Sequence, residues 1–330
     1  MFQWPEPAYC VFPKNNPAYY KYRPKKVGPS PHKINKIEAF FQKKYKSKFA
    51  ILFPSGRSAI NQVLLFNGFN RSKIVNVPLW TSSCLLHALT AITNVTVKNT
   101  KPDGLIVVHK WGVTSKLKKS DSLKKCLVID DSADCFPRKI YRPFENNSNY
   151  EMISLPKLIG SFCGGIILTN NKNFFTYAKA NQLKNRVLAN KQSKRKFISA
   201  FKNKKNADWR FYESLNYSVD YNSVENIFRC LPNYKLNFDT IVRRERLIKK
   251  HFKNILTDKR RLGPCIIFDG LKFNQFKSLL ENKHFDINKN VIKENFKKCF
   301  IFPIHFGVQE KLFRKMLNLL IDVFKTKKYE

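Results

Sequence analysis

In the N-terminal half, apolar residues recur at helical spacing in some stretches and form short strand-like runs in others. Apolar residues recur at helical spacing between Ile34 and Tyr45. Short apolar runs follow, separated by polar or helical stretches, and predict strands at "AILF", "IVNV", "LIVV", "CLVI", "YEMISL" and "GGIILTN". Strands and helices that alternate in this way indicate an α/β protein with a doubly wound, mostly parallel sheet.

The pattern changes after about Ala178. A basic segment from Lys184 to Arg210 has no strong periodicity, and beyond it we predict helices in "FDTIVRRERLIKKHFKNIL" and "KLFRKMLNLLIDVFK" and strands in "PCIIFDG" and "KCFIFPIHF". We therefore predict an N-terminal arm over 1–32 and a large α/β domain over 33–180. A basic connecting segment and a smaller α+β domain would occupy 181–330.

Polar residues directly follow several of the apolar runs. In open α/β sheets, ligands bind beyond the carboxyl ends of the strands, so these residues are candidates for a site. They lie within Ser55–Ser58, Pro78–Ser83, His109–Gly112, Asp130–Asp134 and Ser154–Lys157.

Each candidate also has an ordinary structural explanation when it is taken singly. Ser55 or Ser58 would be a helix N-cap, the aspartates a solvated turn or another cap, His109 and Trp80 core residues, and Lys157 one of many surface lysines. Only the joint arrangement points to chemistry.

A helix N-terminus, an acid at a strand end and a lysine after a strand together suit pyridoxal phosphate (PLP). The helix N-terminus binds the phosphate. The lysine forms an imine with the aldehyde, and the carboxylate keeps the ring nitrogen protonated, so that the ring accepts electrons from a carbanion. The sequence therefore predicts a PLP site.

The same stretches resemble the DegT/DnrJ/EryC1/StrS sugar aminotransferases, within the fold-type I PLP enzymes. "FPSGRSAINQVLL" is similar to the family's "SGTSAL" turn, "CLVIDDSADC" to "VIEDxAQ", and "ISLPKLIGSFCGGIILT" to a variant "SLRKxxxxxxGG". "VNVPLWTSSCLLHAL", "LIVVHKWG", "IVRRERLIKKHF" and "FPIH" match in the same order, over roughly 33–325. The resemblance implies the fold-type I architecture, with a large sheet domain and a smaller C-terminal domain.

The resemblance also implies roles for single residues. Lys157 would be the Schiff-base lysine and the proton carrier of transamination. Asp131, rather than Asp130, would pair with the pyridinium nitrogen. The phosphate would be bound by residues of one turn and one strand end: Gly56, Arg57, Ser58 and Ser154.

Several positions depart from the family pattern. Asp134 stands where the family usually has glutamine near the ring hydroxyl, and Ser82 stands where many members have an aromatic residue that stacks on the ring. Trp80 is the candidate to replace that aromatic group. His109 is a candidate substrate-binding residue, and "LNYSVD" is a weak echo of an "NYRM" element that completes the neighbouring subunit's site.

The strongly positive net charge of the chain has two possible explanations. With 62 Lys+Arg against 23 Asp+Glu, the net charge is +39. Lysine is spread over almost the whole chain, so a lysine-rich solvated surface and a functional basic face both remain open. The eight cysteines form no C-x-x-C pair and no metal spacing, which favours free thiols in a reducing compartment and predicts no metal site.

The leading interpretation is an aminotransferase that moves an amino group from an amino acid such as glutamate to a keto sugar, which we expect to be nucleotide-linked. The resemblance implies a homodimer that acts in the nucleotide-sugar and polysaccharide pathways. Because no apolar run is long enough to span a bilayer, we expect a cytoplasmic protein without a membrane segment. Two alternatives remain: a non-catalytic binding or regulatory protein with the PLP fold, and a nucleic-acid-binding protein, which rests on the charge alone.

Overall fold

The computed structural model of the chain describes residues 2–3, 28–79, 81–97, 101–117, 126–184, 189–191, 194, 215, 217–253, 255–268, 285–286, 291–294 and 297–325. Most of the predicted N-terminal arm and of the basic segment that ends at Arg210 lies outside these described residues. Its helices include α1 (Pro31–Tyr45), α2 (Gly56–Phe66), α3 (Ser83–Thr90), α4 (Leu155–Ile159), α5 (Lys172–Asn181), α6 (Tyr221–Cys230), α7 (Asn233–His251) and α8 (Glu310–Lys325).

Fifteen strands are assigned within the described residues. They are β1 (Phe2–Gln3), β2 (Phe49–Phe53), β3 (Ile74–Asn76), β4 (Asn94–Thr96), β5 (Gly104–Val108), β6 (Leu127–Asp131), β7 (Phe136–Pro137), β8 (Tyr150–Ser154), β9 (Gly165–Thr169), β10 (Ile255–Leu256), β11 (Arg261–Leu262), β12 (Cys265–Phe268), β13 (Phe285–Asp286), β14 (Val291–Glu294) and β15 (Lys297–Pro303).

The main sheet has seven strands in the order β2-β9-β8-β6-β5-β3-β4. Six of them run the same way, and β9 is antiparallel to both of its neighbours. The reversal follows from the short connection between β8 and β9, because adjacent parallel strands need a crossover of a dozen or more residues. This arrangement confirms the predicted α/β class with a mostly parallel sheet.

The two faces of the main sheet are covered by different helices. Ile129 and Met152 share a hydrophobic cluster with α2, α3 and α5. Ile153, on the opposite face, shares a larger cluster with α1, α4, α6 and α7. Because side chains alternate across a strand, the adjacent residues Asp130 and Asp131 point to opposite faces.

The C-terminal part forms a second sheet of four antiparallel strands, in the order β10-β12-β15-β14. Helix α8 packs on it through an apolar stripe that includes Phe313, Met316 and Leu320. Strand β11 pairs with β7 of the N-terminal part. Two helices of the predicted C-terminal region, α6 and α7, contact α4 beneath the main sheet.

The N-terminal and C-terminal parts touch backbone to backbone at two glycines. A Cβ atom on Gly112 would stand 2.0 Å from the Gly263 nitrogen, and the φ angle of Gly112 is +79°. Trp111 beside it is buried against residues of the second sheet, Cys265, Ile267 and Ile301. The loop after β5 is therefore fixed against the C-terminal part.

Some elements were not predicted from the sequence. Strands β4 and β14 are short, and β4 is only half-buried, so the apolar pattern over each is weak. Helix α6 was missed although its buried residues Val224 and Ile227 stand at helical spacing. Among the described side chains, the cysteines are all free thiols. Of the described helices, none has the length and hydrophobicity that a membrane crossing needs.

The close backbone contact at Gly112 predicts that one methyl group added there would strongly destabilise the fold. We expect Gly112→Ala to lower the free energy of unfolding by on the order of 3 kcal/mol, since the Cβ atom would displace the backbone of Gly263. Urea denaturation followed by circular dichroism measures this.

Gly68 is the matched control, because its φ angle is also positive, at +69°, but no atom lies within 4 Å of its Cβ position. Gly68→Ala should cost only about 1 kcal/mol, the strain of a left-handed alanine. Equal losses in the two variants would contradict the contact.

Candidate functional site

The strand ends predicted to carry chemistry meet at one edge of the main sheet. Strand β5 ends beside Asp131, since Val108 pairs with it, and Asp131 pairs in turn with Met152 of β8. Gly165, the first residue of β9, pairs with the last residues of both β2 and β8. The reversed strand thus begins where its neighbours end.

The turn between β2 and α2 sits against the start of β9. Ser55 is the N-cap of α2, and its Oγ accepts the N–H of Ser58 at 3.1 Å. The N–H of Gly164 donates to the Pro54 carbonyl at 2.9 Å. A Cβ on Gly165 would lie 2.4 Å from the Gly56 nitrogen, so only glycine permits this approach. The N-terminus of α2, with its positive dipole end, therefore lies at the site edge.

Lys157 lies in α4, a short helical turn directly after β8. Pro156 occupies the first turn, where its missing N–H costs nothing, and Gly160 ends the helix with a left-handed φ of 67°. Amide side chains of α7 hold the far end: Asn237 donates to the Leu158 carbonyl at 2.9 Å, and Asn233 to that of Ile159 at 3.1 Å.

Two buried carboxylates face the amine of Lys157. Its Nζ lies 3.7 Å from Oδ2 of Asp134. Asp131 lies close as well; burial raises its pKa to about 6, although Lys157 and the Ala133 N–H, which donates to Asp131 Oδ1 at 2.9 Å, both lower it. A carboxylate with this pKa takes up and releases a proton near neutrality.

Asp130 and His109 form a separate pair on the other face of the sheet. Both side chains are fully buried, with Nε2 of His109 3.1 Å from Oδ1 of Asp130. The N–H of Ser115 donates to Nδ1 of His109, which places the imidazole hydrogen on Nε2. Burial raises the pKa of Asp130, but hydrogen bonds from His109, Asn146 and Ser148 outweigh it and hold the pKa below its usual value.

This geometry changes the interpretation of His109. We predicted it as a candidate substrate-binding residue, but its side chain is 0% exposed and its ring nitrogens face Asp130 and a backbone N–H. It is a buried core histidine paired with Asp130, so we leave it out of the proposed substrate site.

Three of the remaining candidates, Ser154, Arg57 and Ser82, lie among the described residues. Ser154 is the half-buried N-cap of α4, and its N–H donates to the Ala133 carbonyl at 3.1 Å. Arg57 is half-buried in the first turn of α2. Ser82 is exposed before α3, with its Oγ 3.3 Å from Cys84 Sγ. Trp80, the candidate ring-stacking residue, lies outside the described residues.

Some positioning residues were missed from the sequence. Asn237 and Asn233 lie about eighty positions after α4 and carry no local motif. Met152 packs its sulfur against Gly56, at 2.7 Å from the place of a Cβ. The residues described in the structure contain no cluster of three or more His, Cys, Asp or Glu side chains that could bind a metal.

The donor set at this edge fits PLP. Lys157 supplies an amine for the aldehyde, Asp131 a buried carboxylate for the ring nitrogen, and the first turn of α2 a positive helix end for the phosphate. The close approach at Gly165, where no Cβ fits, brings that helix end against the strand that follows the lysine turn.

A family model described as "Putative PLP-dependent aminotransferase" matches residues 37–323, which is most of the chain. A search of curated proteins finds no significant match.

Solved structures give a consistent result at the level of the fold. DesV from S. venezuelae matches with a TM-score of 0.59 and 14% identity, over 90% of this chain and 89% of DesV. A DegT DnrJ EryC1 StrS aminotransferase from Brucella abortus matches with a TM-score of 0.60 and 12% identity, over 92% of each chain. DesI, solved in the presence of its TDP-sugar product, matches at 0.60 and 13%, over 91% of this chain and 86% of DesI. The predicted fold-type I architecture is confirmed.

The pKa of Asp131 predicts a pH-dependent stability in the PLP-free protein. A folded-state pKa of about 6, against about 4 in the unfolded chain, favours folding at low pH, and this contribution is lost as the pH rises through 6. Relative to Asp131→Asn, the wild type should therefore lose up to about 3 kcal/mol of unfolding free energy between pH 4 and pH 7. Urea denaturation at the two pH values measures the difference.

Asp130→Asn is the control, because the pKa of the neighbouring carboxyl is lowered instead. Relative to that variant, the wild type should gain stability as the pH rises. The same sign in both comparisons would contradict the assignment of the two carboxylates to different environments.

Proposed function

The chain belongs to a family of PLP-dependent aminotransferases, and from this premise we propose that it transfers an amino group from glutamate or a similar amino acid to a keto sugar. The observation that carries the proposal is the position of Lys157. It follows a strand end at the edge where Asp131, Asp134 and the N-terminus of α2 meet.

Membership of the family confirms two predictions. The protein is a transaminase, and its cofactor is PLP. The non-catalytic alternative is not favoured by these findings. The residue assignments, the "SLxK" subgroup and the sugar stay proposals.

Bound PLP supplies an aldehyde that bonds to amines and a ring that accepts electrons from the adjacent carbon. In our proposal Lys157 provides the amine that carries the cofactor. The first turn of α2, with Gly56, Arg57 and Ser58, binds the phosphate, and Ser154 adds a contact from the end of β8.

Proton movement rests on Lys157 and Asp131. The Nζ atom of Lys157 would move a proton at the substrate carbon, first as general base and then as general acid. The ionised carboxylate of Asp131, buried beside Lys157, would keep the ring nitrogen protonated. Asp134, 3.7 Å from Lys157 Nζ, orients the lysine amine towards the site.

The sugar substrate is supported by the fold relatives and by the charge. DesI was solved in the presence of its TDP-sugar product. A net charge of +39 favours an anionic substrate such as a nucleotide-linked sugar. We further propose that the protein acts as a cytoplasmic homodimer in nucleotide-sugar and polysaccharide synthesis.

Lys157→Ala tests the cofactor site. The purified wild type loaded with PLP should show the visible absorbance band of lysine-bound PLP, and the variant should lack it, because no other amine would occupy that position. Absorbance spectra of the two dialysed proteins make the comparison.

Lys179→Ala is a close control, since Lys179 is equally half-buried (28% against 26% exposed) and is also paired with a carboxylate, that of Glu38. It should keep the band. A band that survives in Lys157→Ala would refute the assignment of the lysine.

The substrates are tested by two additions to the PLP-loaded protein. Glutamate should bleach the visible band, and a nucleotide-linked keto sugar should then restore it, because glutamate would leave as its keto acid and the sugar would take up the amino group in exchange for its carbonyl oxygen. The same keto sugar without its nucleotide should restore the band less well. Bleaching by glutamate that no keto sugar reverses would remove the sugar from the proposal.

A further inference from the structure

A second buried ion pair lies behind the site, between Glu151 of β8 and Arg261 of β11. Both side chains are 0% exposed, and Nη1 of Arg261 lies 2.7 Å from Oε1 of Glu151. The Glu151 carboxylate also accepts the hydroxyls of Ser132 and Tyr141 and the N–H of Phe144. It is the shared acceptor of four groups from different parts of the chain.

One of these groups belongs to the segment that faces Lys157. Ser132 lies between Asp131 and Ala133, and its N–H donates to the Met152 carbonyl at 2.9 Å while its hydroxyl donates to Glu151. The N–H of Ala133 in turn holds Oδ1 of Asp131. Glu151 therefore fixes the loop that presents the carboxylates of Asp131 and Asp134.

Arg261 belongs to the C-terminal part of the chain, and Asp258 helps to hold its backbone where the side chain can contact Glu151. Asp258 accepts the N–H groups of Arg260 and Arg261, and also that of Thr114 after β5. The guanidinium lies 4.9 Å from the centre of the Tyr141 ring. Among the described residues, its Nε and Nη2 atoms have no hydrogen-bond partner, and its ion pair is with Glu151.

The ionised state of the Glu151 carboxylate depends on the positive charge of Arg261. A buried carboxylate stays ionised only beside a cation or several donors, and loss of one partner leaves an uncompensated charge. Without Arg261, Glu151 would take up a proton or draw in water. Either change weakens its hold on Ser132.

We propose that Arg261 and Glu151 are positioning residues of the cofactor site: the C-terminal part, through this ion pair, holds the 131–134 loop in the geometry that PLP needs. This inference rests on the proposed placement of PLP at Lys157 and Asp131. Neither residue needs to touch the cofactor, because the effect passes through Ser132.

The test uses Arg261→Met, Glu151→Gln and Arg261→Lys, titrated with PLP in the full-length protein. The first two should weaken PLP binding about tenfold, as for other partners that orient a ligand-binding group, and should change the visible circular dichroism of bound PLP. Arg261→Lys should keep most of the affinity and the wild-type spectrum, because its ammonium group retains the positive charge and a donor for Glu151.

Glu38→Gln is the control for a purely structural effect. Glu38 is also a buried carboxylate in an ion pair, and it accepts the Leu52 N–H of β2, which β9 and β8 separate from β6 in the sheet. It should lower the melting temperature and leave both the PLP affinity and the spectrum unchanged. The same loss of affinity in Glu38→Gln and Glu151→Gln would overturn the inference.

The inference and the proposed function fail in different ways. If Lys157→Ala abolishes the visible band while folded Arg261→Met and Glu151→Gln bind PLP like the wild type, the positioning role is wrong and the function stands. If the band survives in Lys157→Ala, the site itself is misplaced and both fall. Should Arg261→Met not fold, the comparison of Glu151→Gln with Arg261→Lys decides.

Discussion

Gly165 approaches the turn at Ser55 and Gly56 so closely that a Cβ atom on it would stand 2.4 Å from the Gly56 nitrogen. This backbone contact joins the start of the reversed strand to the N-terminus of α2. Because β9 pairs with both β2 and β8, it also sets the spacing between that helix end and the turn that carries Lys157. The phosphate end and the amine end of the proposed cofactor site are thus fixed by one contact between backbones.

The two faces of the sheet give adjacent residues opposite electrostatic environments. Asp131 is buried beside one N–H donor and a lysine. Burial raises its pKa by more than these two groups lower it, so the pKa rises. Asp130, one position earlier, faces the other side, where His109, Asn146 and Ser148 bind it and the pKa falls. The alternation of a strand is therefore enough to separate a carboxyl that exchanges protons near neutrality from one that stays ionised and structural.

The sequence carried most of the information on the main sheet but less on what holds the site in place. The convergence of Gly56, Asp131 and Lys157 followed from the rule that ligands bind at the carboxyl ends of parallel strands. His109 follows a strand in the same way, yet its side chain falls on the other face, and a position after a strand end does not determine that face. Asn237 and Arg261 act over long separations through single hydrogen bonds, and such contacts leave no periodic pattern in a single sequence.

The burial of carboxylates in the interior affects the electrostatic repulsion between molecules of this protein. Seven of the 23 acidic residues are buried in the described part of the chain: Glu38, Asp130, Asp131, Asp134, Glu151, Asp220 and Glu245. With these seven in the interior, sixteen acidic residues remain in the rest of the chain against 62 Lys+Arg. Two molecules that approach each other in dilute buffer therefore repel strongly, and ions that shorten the Debye length reduce this barrier. Ionic strength becomes a control on self-association, and any dimer must overcome this repulsion by apolar contact.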